Sequence, residues 1–86
     1  MMMSAGKKAN RKKRVVLTGA AGRVGSALWQ AWEAEGLYEL TLVDRDEVLG
    51  SCSRVEIGDL RDHAFASRIC HNQDVLISLA YLREAE

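Results

Sequence analysis

Three glycines, Gly19, Gly22 and Gly25, each separated by two residues, stand between the apolar run Val15-Val16-Leu17-Thr18 and a segment of helical periodicity. Residues of this type at this spacing can present backbone N–H groups to an anion. Gly19 permits a tight turn off a strand, Gly22 lets N–H groups approach a pyrophosphate, and Gly25 lets the following helix pack closely. A phosphate is therefore expected at the helix start. A glycine-rich turn is common by itself, so the reading depends on what else the chain carries.

Three further groups fall where a dinucleotide needs them. Asp44 lies nineteen residues after Gly25 and closes the apolar run Leu40-Thr41-Leu42-Val43. A carboxylate there accepts both hydroxyls of an adenosine ribose and repels a 2′-phosphate, so NAD is expected over NADP. Arg45, directly after it, is the feature that favours the phosphorylated form. Asp59-Leu60, after Arg54-Val55-Glu56-Ile57-Gly58, pairs an acceptor for an exocyclic amine with an apolar cover for adenine. Ser78-Leu79-Ala80 ends a fourth apolar run, at the sheet edge where open α/β folds hold their ligands.

These groups must be positioned by strands and helices in alternation. Val15 to Thr18 reads as a first strand, apolar on both faces. A helix is expected from Arg23, with Val24, Leu28, Ala31 and Trp32 on its inner face, Trp29 partly exposed, and Gly36 as a left-handed cap. Leu40 to Val43 and Arg54 to Gly58 read as strands, joined by an irregular stretch from Glu47 to Ser53 with a turn at Gly50-Ser51. Asp62 caps a helix running to Cys70, with Ala66, Ile69 and Cys70 on its buried stripe. Asp74 to Leu79 is the fourth strand. The pattern β-α-β-β-α-β implies an α/β fold, a partial Rossmann (doubly wound) parallel sheet of strand order 3-2-1-4.

The 86 residues allow one small domain, and their 12 basic and 12 acidic residues conceal a segregation. Residues 1–14 hold six of the basic groups and no acid, and are expected to be a disordered tail. Residues 15–86 carry six arginines against all twelve acids, about −6 net. A nucleic-acid role for the tail lacks interleaved aromatics and an electropositive body. Neither a signal peptide nor a membrane span is supported, so a cytoplasmic protein is expected. Cys52 and Cys70 are expected to be free, buried or partly buried thiols. His63 and His71 belong to no metal-ligand pattern and read as surface or helix-end residues.

Taken together, Thr18-Gly19-Ala20-Ala21-Gly22-Arg23-Val24-Gly25, Val43-Asp44, Gly58-Asp59-Leu60 and Asp74-Val75-Leu76-Ile77-Ser78-Leu79-Ala80 resemble the opening of an extended short-chain dehydrogenase/reductase. The similarity is to the NAD-dependent epimerase/dehydratase family, which acts largely on sugars and nucleotide sugars. It implies that the backbone at Gly22, Arg23 and Val24 holds the pyrophosphate. It also implies that Asp44 holds the adenosine ribose and Asp59 with Leu60 the adenine, with Leu79 and Ala80 toward the nicotinamide ribose. Ser78 stands where the family often has histidine, and Tyr81 where a small residue is usual.

The family's reaction uses a Tyr-x-x-x-Lys pair as acid and base. Here Tyr38 is followed four residues on by Leu42 and Tyr81 by Ala85, while the lysines are Lys7, Lys8, Lys12 and Lys13. No catalytic residue is assigned. The expectation is a truncated, NAD-binding N-terminal portion of an epimerase/dehydratase-like oxidoreductase, inactive alone. The alternative is a non-catalytic NAD(P)-binding sensor or regulatory module. The apolar fourth strand, left at a sheet edge, is expected to favour self-association.

Overall fold

The computed structural model describes residues 11–79. Along them run β1 (Lys13–Thr18), α1 (Arg23–Glu35), β2 (Tyr38–Asp44), β3 (Arg54–Ile57), α2 (His63–Cys70) and β4 (Val75–Ser78). All strand pairs are parallel and the order is β3-β2-β1-β4, as the crossover pattern requires.

Alternation along the two central strands supplies both faces of the core. Val15 and Leu17 of β1, with Leu40 and Leu42 of β2, meet Trp29 of α1, and Leu28 and Trp32 pack around them. On the opposite face Val16 and Val43 meet Ile69 of α2, with Leu60 and Phe65 alongside. Helices thus cover both sides of the sheet, which explains why β1 and β2 have no polar face.

β1 begins at Lys13, two residues before the expected Val15. The ladder, rather than apolarity, sets this boundary: Lys13 and Arg14 lie in register with Tyr38 and Glu39 of β2. Arg14 N–H also donates to Asp74 Oδ2 at 2.8 Å, and Asp74 N–H donates to the Arg14 carbonyl at 2.9 Å. That backbone donor, reinforced by the charges of Arg11, Lys13 and Arg14, holds the Asp74 carboxyl below its usual range.

Two helical stripes differ from the sequence expectation. Trp29 is not partly exposed; it is 3% exposed and belongs to the core, whereas Val24 is 62% exposed. Ala31 is exposed as well. The buried face of α1 is set where Gly25 meets the turn after β1, and one helical turn further on that face carries Trp29. Val24 instead faces the open end of the sheet. On α2 the inner positions are Phe65 and Ile69, spaced i and i+4, so Cys70 is exposed rather than buried. Cys52, in the β2–β3 connection, is exposed too, and both thiols are free.

The helix ends follow the chemistry expected of them. Gly36 takes φ +69° and its N–H reaches the Trp32 carbonyl at 3.0 Å. Asp62 Oδ1 accepts the N–H groups of Ala64 and Phe65, at 3.0 and 3.3 Å. His63 and His71 bracket α2 and are exposed. The β2–β3 connection is irregular, turns at Gly50 (φ +83°), and is pinned to α1 by Glu33. The Glu33 carboxylate accepts Ser51 Oγ at 2.6 Å and Ser53 Oγ at 2.5 Å.

Candidate functional site

A parallel sheet places the C-terminal ends of all its strands along one edge, and a cleft of about 920 Å³ lies there. That volume is in the range of pockets that enclose small ligands, roughly 300–1,000 Å³. Gly19, Gly22, Arg23, Val24, Gly25, Asp44, Asp59, Leu60 and Leu79 all line it. Ala80 lies outside the described residues. The sequence positions singled out from four separate segments therefore converge on one surface. Strand order reverses between β1 and β4, the point beside which such folds hold ligands.

The turn from β1 into α1 is compact because its glycines admit no side chain. Gly19 adopts φ +79°. Its N–H and that of Ala20 both donate to the Val43 carbonyl, at 2.9 and 3.2 Å, folding the turn back onto β2. A Cβ at Gly22 would lie 3.3 Å from the Gly19 carbonyl oxygen, and one at Gly25 would collide with that oxygen and approach Ala20 Cα to 3.1 Å. Gly22 is the N-cap of α1 and offers no side-chain acceptor, nor does the first turn contain an acid. Ser26 N–H is the first in α1 to find a carbonyl, that of Gly22 at 2.9 Å. The N–H groups of Arg23, Val24 and Gly25 are left at the cleft, an uncapped positive helix end.

Asp44 ends β2 beside this turn. Its Oδ2 accepts the Ala21 N–H at 2.9 Å and its Oδ1 the Asp46 N–H at 3.0 Å. The carboxylate is thus fixed in orientation at the lining of the cleft, with acceptor capacity beyond these two bonds. Further along, Asp59 is gripped by Arg61, whose backbone N–H reaches Oδ1 at 2.9 Å and whose Nη2 reaches Oδ2 at 2.8 Å. Those contacts hold the Asp59 carboxyl down at about 2, with the Arg61 and Arg45 charges adding to the effect. At the β4 side Thr18 Oγ1 donates to Ser78 Oγ at 3.1 Å, and Leu79 N–H donates to the Thr18 carbonyl at 3.1 Å, keeping Leu79 on the rim.

Sequence reasoning missed two contributors. The motif spacing gives Arg61 no role, although an arginine two residues after an acid in a turn is within reach of it. Helical periodicity puts Trp29 off the inner face, yet its indole N–H reaches into the glycine turn at Ala20.

The residues present suit a dinucleotide: uncapped N–H groups for a pyrophosphate, a space no side chain occupies, and a fixed carboxylate one strand away. Comparison with known proteins agrees. The model of the NAD dependent epimerase/dehydratase family matches residues 15–85. This chain belongs to that family. The epimerase/dehydratase chain is also similar to solved structures, over a limited part of each. One is a short-chain dehydrogenase/reductase superfamily protein from Agrobacterium tumefaciens with bound NAD, at 25% identity and a TM-score of 0.72, covering 80% of this chain and 20% of that one. A second is MoeE5 in complex with UDP-glucose and NAD, at 30% identity and TM-score 0.67, covering 80% and 22%. A third is L-threonine dehydrogenase from Clostridium difficile, at 27% and 0.69, covering 85% and 25%. The epimerase/dehydratase chain therefore spans about a fifth to a quarter of their length. No curated protein sequence gives a significant match. Among the described residues no helix is long and apolar enough to cross a membrane, and no cluster of His, Cys, Asp or Glu could hold a metal ion.

Proposed function

We propose that this chain is the NAD-binding N-terminal portion of an oxidoreductase acting on a sugar or nucleotide sugar. The observation that carries the reading is the uncapped start of α1 facing the cleft beside the Asp44 carboxylate. In it, the N–H groups of Arg23 and Val24 hold the pyrophosphate, while the N–H expected of Gly22 is instead given to the Gly19 carbonyl at 3.1 Å; Asp44 accepts the adenosine ribose hydroxyls. Asp59 accepts the adenine amine while Leu60 covers the ring, and Leu79 and Ala80 border the nicotinamide ribose. Bound NAD supplies a hydride acceptor at nicotinamide C4; the residues here bind and orient it. The negative charge of Asp44 disfavours a 2′-phosphate, so NAD is preferred to NADP. NAD in two of the similar structures, and UDP-glucose in one, support the cofactor and the substrate class.

Calorimetric titration of the full chain tests this reading. Saturable binding of NAD, tighter than that of NADP, is expected. No saturable binding of either at millimolar concentration would overturn it.

A further inference from the structure

We propose that Trp29 is a positioning residue for the dinucleotide, acting with Asp44 to clamp a single peptide unit of the glycine turn. The inference rests on the dinucleotide reading above. The Ala20–Ala21 peptide is held at both ends by side chains from different elements. Its carbonyl accepts the Trp29 indole N–H at 3.0 Å, and its N–H donates to Asp44 Oδ2 at 2.9 Å. Ala20 is fully buried and Trp29 nearly so, which places the first of these bonds away from water.

Packing alone does not account for a tryptophan at this position. An aliphatic or phenyl group would also fill space against Val15, Leu17 and Leu42. The indole adds a donor, and a buried donor or acceptor left unpaired is costly. Rotating the Ala20–Ala21 peptide would break both contacts together. The next N–H, that of Gly22, turns back to the Gly19 carbonyl at 3.1 Å, and those of Arg23, Val24 and Gly25 follow it at the cleft, so fixing this peptide fixes where they point. A phosphate-binding turn held this way before ligand arrives does not have to be ordered by the ligand. Trp29 touches no ligand itself; it acts through Ala20.

The test uses the full chain and the variant Trp29→Phe, which keeps a buried ring and removes the donor. ADP carries the pyrophosphate, whereas adenosine engages Asp44 and Asp59 without it. Positioning predicts that ADP affinity falls about fivefold, the size expected for one hydrogen bond, and adenosine affinity by clearly less, because only ADP uses the N–H groups that follow the clamped peptide. A packing role alone would lower both equally or neither, and either result would overturn the proposal. A second readout needs no ligand: amide exchange at Ala21 is slow in the unaltered chain and fast in the variant. If Trp29→Phe fails to fold, the unaltered chain still decides, because a rapidly exchanging Trp29 indole proton would overturn the clamp. If the unaltered chain binds neither ADP nor NAD, the dinucleotide reading fails. The clamp is then judged by the Ala21 amide, and unchanged protection in the variant would overturn it.

Discussion

Gly25 lies directly against the carbonyl of Gly19, whose oxygen occupies the place a side chain would take. The first turn of α1 and the turn off β1 are therefore one packed unit, and the distance between them is set by a missing Cβ. Replacing Gly25 with alanine must push the two apart. We expect Gly25→Ala to cost about 1–3 kcal/mol, the usual range for overpacking, and to abolish measurable NAD binding. Urea unfolding and calorimetric titration check the two halves; wild-type stability would contradict the contact.

Asp44 is expected to govern cofactor choice. Asp44→Ala removes the ribose acceptor and the carboxylate that holds the Ala21 N–H, so affinity for both nucleotides should fall. It should fall roughly tenfold more for NAD than for NADP, because the repulsion toward a 2′-phosphate goes with the charge. Parallel titrations give the ratio; an unchanged NAD preference would remove Asp44 from the ribose site.

Glu33 should make part of the stability depend on acid. Burial raises its carboxyl, but hydrogen bonds from Ser51, Ser53 and Cys52 outweigh that and hold it below the ordinary 4.5. A carboxyl lowered in the folded chain stabilises fully above its unfolded value and loses that contribution as pH falls through the folded one. The double variant Ser51→Ala, Ser53→Ala should lose about 1–2 kcal/mol at pH 7. The difference from wild type should close as pH falls through the lowered folded-state value of Glu33. Denaturant unfolding across that range reads this directly.

Among the described residues β4 pairs only with β1, and Leu76 on it is 54% exposed. An apolar edge strand is a template for further pairing. Concentration-dependent self-association is expected for the full chain, with Leu76→Lys suppressing it. Sedimentation velocity over a hundredfold concentration range distinguishes the two; a monomer throughout would exclude this role for the edge.

The elements themselves were legible because β1, β2 and β4 carry apolar runs, β3 alternates, all four close at Gly, Asp or Ser, and each helix has a recognisable start or stop. Asp62, Gly36 and Gly50 act through local backbone chemistry, which sequence carries well. The position of Trp29 was not legible, since a count of apolar side chains gives Gly25 no weight. Gly25 nevertheless defines the buried face of α1 by contact with a turn that is not part of the helix. The start of β1 was misplaced for a related reason: Lys13 and Arg14 pair with residues more than twenty positions away, and their own side chains give no sign of it. Asp44 was found by spacing, but its bond to Ala21 depends on two strands lying side by side.

The two ends of β4 are fastened to β1 across about sixty residues, by Asp74 to Arg14 below and by Ser78 and Leu79 to Thr18 above. Among the described strands β1 is synthesised first and β4 last, yet they are neighbours. As the chain emerges, β1, α1 and β2 can assemble the glycine turn and Asp44, while the opposite wall must await residue 79. The cleft thus has a chronology: its Gly19–Asp44 side is early and local, and its Leu79 side is completed by the slowest kind of contact to form.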